Sequence, residues 1–226
     1  MYAHDRYQRG LKAYRHRMRT PLLIVVIPMF VFFWAVVLTH KLDGWSVAAA
    51  AVLSSAIALV FSVRDEPPQH VLKWRQGAEG ERKTEKVLRR FERQGWVVEH
   101  DIQRDGRANL DHVARGPSGV FLLETKNLSG TITFEDGMLH ARQFDDPDEV
   151  YRYRTLASRL RGQASELSAR IRAETGRGAW VSAVVVIWGH FPPGLVEHEN
   201  VTYIAGDRLA GWLAALPGPS PTSRVL

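Results

Sequence analysis

The 226-residue sequence has no cysteine, which excludes disulfide frameworks and thiolate metal sites and accords with a reducing compartment. It has no Walker loop, no GxSxG elbow and no dinucleotide-binding fingerprint, so no small-molecule cofactor is expected. No internal repeat runs through it. Charge is missing from two long stretches, 22–39 and 45–63. Net positive charge is nearly missing from the C-terminal three-quarters. The whole chain carries +6, but residues 1–21 hold Arg6, Arg9, Lys12, Arg15, Arg17 and Arg19 against Asp5 alone, while 64–226 hold 23 bases and 22 acids. The basic balance belongs mainly to the N-terminal segment and gives no reason to infer nucleic-acid binding by the rest.

The two uncharged stretches read as membrane spans. Eighteen residues from Leu22 to Thr39 rise about 27 Å as a helix, close to the ~30 Å hydrocarbon core of a bilayer. Pro28 is tolerable there because neighbouring helices can satisfy the freed carbonyl. In the second run, Trp45 to Val63, Ala51 and Ser55 stand four apart, a small-xxx-small pattern that lets helices approach closely. The short turn His40-Lys41-Leu42-Asp43-Gly44 joins the runs into an expected transmembrane hairpin over 22–63. A cleaved signal peptide would have a shorter apolar core and a small-residue cleavage site, which Thr39-His40-Lys41 matches poorly. A buried soluble hairpin would show a polar face, and neither run does. With the bases of the 1–21 segment on one side and only Lys41 in the turn, the positive-inside rule puts both the N-terminus and the C-terminal domain in the cytoplasm. The lipid bilayer is thus one expected partner, and a second copy of the chain is another.

Beyond the hairpin, Pro67-Pro68 marks residues 64–74 as a linker, a domain follows over 75–216, and the Pro/Ser-rich end, 217–226, is expected to be disordered. In the domain the pattern predicts a helix over Gln76–Gln94 closed by Gly95, then strands over Trp96–Gln103, Leu110–Arg115 and Val120–Asn127. A hairpin follows around Asp136-Gly137, then a long helix over Tyr151–Thr175. An apolar, buried strand over Trp180–Trp188, a short strand over Val201–Ala205 and a last helix capped by Asp207 complete it. The expected class is α/β, an α+β mixed sheet flanked by helices.

Chemistry concentrates where two of these strands end. Asp111 follows Leu110, and Glu124-Thr125-Lys126 closes the run Val120-Phe121-Leu122-Leu123 thirteen residues on, across a Gly-Pro-Ser-Gly turn. Alternation puts Glu124 and Lys126 on one face, and a hairpin can bring Asp111 beside them. Two carboxylates suit a hard cation such as Mg²⁺ (or Mn²⁺), with the Thr125 carbonyl as a third oxygen ligand. Such an ion stabilises phosphorane charge and acidifies a bound water, and a nearby ammonium orients the nucleophile. Charged residues at strand ends are also commonly just solvated. His112 faces away from Asp111 and reads as structural or hydrogen-bonding.

Helices supply the remaining candidates. The stripe Thr84, Val87, Leu88 and Phe91 nearly includes Glu81, which either faces the sheet or serves the helix dipole as a first-turn acid. Gly80 permits close backbone approach. On the long helix, Gln163 falls between the stripe Leu156, Leu160, Ala164, Leu167 and Ile171 and a row holding Arg152, Arg159, Arg170 and Arg177. Such a row can contact phosphates, though a solvated or lipid-facing row is the plainer reading.

The blocks Gly77-Ala78-Glu79-Gly80-Glu81, Asn109-Leu110-Asp111-His112-Val113 and Gly116-Pro117-Ser118-Gly119-Val120-Phe121, the last running into Glu124-Thr125-Lys126-Asn127 with Gly130 beyond, resemble the nuclease-related domain (NERD) over roughly Arg75 to Leu167. The resemblance implies a PD-(D/E)xK, restriction-endonuclease-like fold. It implies catalytic positions at Asp111, Glu124 and Lys126, with Glu81 as the helix glutamate and Gln163 as the glutamine after the core sheet. Leu110-Asp111 stands where the superfamily has Pro-Asp. The expected activity is Mg²⁺-dependent phosphodiester hydrolysis of DNA at the cytoplasmic face of a membrane. The alternatives are a non-catalytic module of the same fold that binds nucleic acid or protein, and a membrane-associated scaffold; fold alone does not fix function.

Overall fold

A computed structural model describes residues 69–218 apart from 105 and 145–147, together with the isolated positions 8, 9, 12, 31, 34, 44 and 45. The predicted spans, 22–39 and 45–63, and most of the predicted tail therefore lie outside the described residues. Among the described residues no helix is long and apolar enough to cross a membrane. The chain divides between Trp74 and Arg75 into two compact units.

The C-terminal unit is a mixed α/β structure. Helix α1 (Gln69–Glu92) leads into strands β1 (Val97–Ile102), β2 (Leu110–Gly116), β3 (Gly119–Glu135), β4 (Met138–Arg142) and β5 (Val150–Arg152). Helix α2 (Leu156–Thr175), strands β6 (Val181–His190), β7 (Leu195–His198) and β8 (Val201–Ala205), and helix α3 (Leu209–Ala215) follow. The sheet runs β1-β2-β3-β6-β8-β7, with β4 and β5 continuing from the far end of β3. β1, β2 and β3 are antiparallel, whereas β3, β6 and β8 are parallel.

Period two divides the core between the faces. Leu122, Val185, Ile187 and Tyr203 pack with Leu156, Leu160 and Ala164 of α2. Phe121, Leu123, Val184 and Val186 pack with Leu88 and Phe91 of α1 and with Leu209 and Leu213 of α3. Val184 through Ile187 are fully buried, as a central parallel strand covered on both faces requires.

Several elements differ from the pattern-based expectation. The predicted 64–74 linker is helical from Gln69, because Pro67-Pro68 forbids a helix only at and just before the prolines. The strand over Val120–Asn127 does not stop but bends through an irregularity between Asn127 and Thr131 into one 17-residue strand. At the bend Gly130 has φ +90°, and a Cβ there would collide with the Arg142 carbonyl. The long helix begins at Leu156, not Tyr151: Val150–Arg152 pairs with the edge of β4, so Arg152 and Arg154 lie off the helix. Strand β7 was not predicted. Its turn to β8 uses Glu199 and Asn200, both at positive φ, without the Asn-Gly or Asp-Gly signal usual for a two-residue hairpin. Asp207 does not cap α3; Arg208 occupies that position and makes no side-chain cap bond.

Helix α1 lies unusually close to β3. A Cβ at position 80 would stand 2.6 Å from Asn127 Cβ and 3.2 Å from Thr125 Cγ2. Gly80→Ala should therefore destabilise the full-length protein by about 1–3 kcal/mol through overpacking. Urea unfolding followed by tryptophan fluorescence measures this, and an unchanged midpoint would contradict the close approach.

Candidate active site

The last Cα pair of the β2–β3 ladder toward the site is His112↔Leu123. Two residues further along β3, the Thr125 N–H donates to Asp111 Oδ2 at 2.8 Å, so a side-chain carboxylate takes over where a backbone carbonyl would stand. On β3 itself, Lys126 Nζ donates to Glu124 Oε1 at 2.6 Å. Arg159 of α2 donates to the same oxygen at 2.7 Å. Glu124 is only 7% exposed, so these two cations offset the cost of burying its carboxylate.

The residues between them on β3 face the other way. Thr125 Oγ1 donates to Thr84 Oγ1 at 2.9 Å, and Trp188 Nε1 donates to that same Thr84 oxygen at 2.8 Å. Asn127 Nδ2 donates to the Gln76 carbonyl at 2.7 Å. This polar seam and the Gly80 contact fix α1 on β3, and Glu81 is the next residue along. Glu81 is half-buried. Burial raises its pKa first, and the charges of Asp101 and Glu124 add to the rise. Glu79 and Glu85 instead form surface pairs with Arg75 and Arg89. Of the two readings of Glu81, the one facing the acidic site agrees with this environment.

Asp111 has the most perturbed of these carboxyls. Burial, then the neighbouring Glu124 charge, pushes it up to about 7. The Thr125 N–H and Lys126 pull downward without cancelling this, and Glu81 adds to the rise. His112, on the opposite face, shares a hydrogen bond with His100 between their Nδ1 atoms at 2.8 Å. Burial followed by His100 drives it down to about 3, so it stays neutral, as its hydrogen-bonding reading requires.

Asp111, Glu124, Thr125 and Lys126 thus come together, with Glu81 in electrostatic reach. Gln163 does not join them by any hydrogen bond among the described residues. It is buried on α2, one turn beyond Arg159, with Oε1 unpartnered. Arg159 was expected only as one of a row. Its i,i+4 spacing from Gln163 puts both on one helix face, but no sequence pattern pairs it with Glu124. The remaining arginines of α2 are largely paired: Arg161 with Glu199 and Arg170 with Glu174.

A family profile described as "Nuclease-related domain" matches residues 76–188, half of the chain. The chain belongs to the nuclease-related domain family. It is also 29% identical over 80 residues to an uncharacterised protein of Bacillus anthracis, a match covering 34% of this chain and 37% of that protein. The chain thus spans little more than a third of the length of that curated relative. No solved structure matches.

The donor set of this nuclease-related domain can be tested against a divalent cation. Among the described residues no cluster of three or more His, Asp, Glu or Cys side chains is placed to hold a metal. Two carboxylates do converge, and all the candidate donors are oxygen. That suits Mg²⁺, which uses one or two carboxylates and keeps several waters. A strand residue turns its N–H and C=O toward the same neighbour, so the Thr125 carbonyl shares the side of its N–H, where Asp111 lies. The donors are thus of the oxygen type such an ion takes, two carboxylates and a carbonyl.

The raised Asp111 pKa carries a sign. A carboxyl whose pKa rises on folding costs nothing when protonated in both states, below its ordinary value of 3.8, and costs most when ionised above about 7. Asp111→Asn cannot ionise. In chelator, its melting temperature should match wild type near about pH 4 and exceed it increasingly toward about pH 8. A difference independent of pH would contradict the shift.

Proposed function

We propose that this protein is a membrane-anchored, Mg²⁺-dependent nuclease that hydrolyses phosphodiester bonds of DNA at the cytoplasmic face. The observation that carries this reading is the convergence of Asp111 and Glu124 with Lys126 at the end of the β2–β3 ladder, where Asp111 is left short of compensating positive charge. Membership of the nuclease-related domain family supports it. The mixed sheet flanked by helices is compatible with a restriction-endonuclease-like relationship.

In this reading Asp111, Glu124 and the Thr125 carbonyl would hold the ion, which when bound would supply charge stabilisation at the phosphate and a more acidic water. Lys126 stays beside Glu124 and orients the attacking water, or a non-bridging phosphate oxygen, by a hydrogen bond from its ammonium. Arg159 shares Glu124 and balances the phosphate's charge. Glu81 adds a carboxylate at the rim, and Gln163 assists from α2. Mn²⁺ is an alternative ion of the same ligand preference.

Anchoring rests on the uncharged runs 22–39 and 45–63. The described positions within them, Val31, Trp34 and Trp45, are helical and expose apolar side chains. The bilayer and DNA are the proposed partners, and a second copy of the chain is a further one.

A second reading has its own observation. Glu124 Oε1 already carries two protein cations, Lys126 and Arg159, as a purely structural ion cluster would. In that case the same fold binds nucleic acid or protein without cutting.

The full chain in detergent should nick supercoiled plasmid with Mg²⁺ and not with chelator. Asp111→Ala and Lys126→Ala should each lower the rate by about 100-fold or more, the size typical of removing one transition-state contact. Undiminished nicking by either variant would contradict the assigned site. DNA binding that survives Glu124→Ala, with no product from wild type, would favour the second reading.

Membrane anchoring is measured separately. The chain should stay in the membrane pellet after alkaline carbonate extraction, with Trp180 and its surrounding domain open to protease only from the cytoplasmic side. Release into the supernatant would contradict the hairpin.

A further inference from the structure

The two cations on Glu124 are not equivalent. Lys126 Nζ and Arg159 Nη2 both donate to Oε1, at 2.6 and 2.7 Å. Lys126 stands two residues from Glu124 on the same strand, and β3 is paired there on both sides, so the ammonium stays near the carboxylate whatever else binds. Arg159 belongs to a different element, the first turn of α2. Its side chain is 46% exposed, against 24% for Lys126. Rotation about its own side-chain bonds is enough to carry the guanidinium from the carboxylate into solvent. Among the described residues Glu124 is the one acid that Arg159 meets.

A divalent cation on Glu124 would stand a few ångströms from both positive charges. In so enclosed a site that repulsion is much stronger than in water. The Arg159 pair therefore opposes the very ion for which the carboxylate is a ligand. A phosphate of a bound strand reverses the balance. The planar guanidinium fork can meet two phosphate oxygens at once, where it now meets a single carboxylate oxygen. The helix end that carries it also favours an anion. The first turn of α2 has no acid, and Thr155 at its N-cap makes no side-chain cap bond.

We propose that Arg159 changes partners: it sits on Glu124 while no strand is bound and moves onto a phosphate of the strand when one arrives, which frees Glu124 for the divalent cation. The inference rests on the nuclease reading of these carboxylates. Two ligands that each require the same ion pair to open favour one another, and the coupling is reciprocal. The strand tightens the cation, and the cation tightens the strand by the same factor. Metal loading is thereby tied to the DNA complex.

Mn²⁺ prefers the same oxygen ligands, and its free ion gives a paramagnetic signal that disappears on binding. It is titrated into the full chain in detergent, first without DNA. Arg159→Met should bind Mn²⁺ about tenfold more tightly than wild type, a coupling of ordinary size. The gap should persist at about 1 M KCl, where a Debye length of ~3 Å hides the loss of a mere surface charge. Arg159→Gln, which keeps a donor for Glu124 without the charge, should shift in the same direction and covers the case where Arg159→Met does not fold. The titrations are then repeated with a saturating phosphorothioate DNA duplex, which resists hydrolysis, and its own Mn²⁺ uptake is subtracted. With DNA bound, wild type and variant should converge to within about threefold, because neither then has an arginine on Glu124. If the variants bind Mn²⁺ no more tightly than wild type, or if DNA leaves the gap unchanged, the exchange is overturned while the nuclease reading stands. If no form takes up Mn²⁺ even with DNA, both fall.

Discussion

Alternation of side chains along β3 is the constraint on which the rest depends. Thr125 and Asn127 turn to one face and hold α1 through Thr84 and the Gln76 carbonyl. Glu124 and Lys126 turn to the other, where Glu124 meets both Lys126 and Arg159 of α2. A one-residue slip in register would exchange the two sets, burying charge under α1 and losing the seam that fixes it. The register is secured on both sides, antiparallel to β2 and parallel to β6, with buried apolar residues above and below.

The same geometry sets the electrostatics. The β2–β3 pairing gives out one residue before Asp111, and the open Thr125 N–H takes its carboxylate. Glu124, the more enclosed acid, is neutralised from two directions. Among the described residues Asp111 has a backbone N–H but no ion pair, and burial, then Glu124 and Glu81 near it, push its pKa up to about 7. The site therefore accommodates more positive charge than the described protein groups provide. That property invites a cation.

Much of this was legible from local pattern. The turn between Gly116 and Gly119 and the period-two run to Lys126 were enough to foresee that Asp111 would come to rest near Glu124, because both signals act over a dozen residues. Gly80 was legible as a close approach because a glycine beside a buried stripe has few other uses. The orientation of Glu81 was not: it lies at the margin of the stripe, and only the placement of α1 on β3 decides which neighbours it feels. Arg159 showed only as one arginine in a row, since an ion pair with a residue 35 positions away leaves no periodic trace. β5 and β7 escaped for a related reason. Each is short and is a strand only because a neighbouring edge stands open to it.

By itself the sequence determined the composition-level facts and the local ones: two uncharged runs, a near-neutral domain, an apolar strand over Trp180–Trp188, and an acid pair with a lysine at strand ends. These follow from hydrophobicity and from backbone periodicity, which need no distant partner. The tertiary structure alone decided how Glu124 is neutralised, how far Asp111 is perturbed, and that Gln163 is buried beside a cavity with its oxygen unpaired. Those depend on desolvation and on distances between segments far apart in the chain, and no local pattern encodes them.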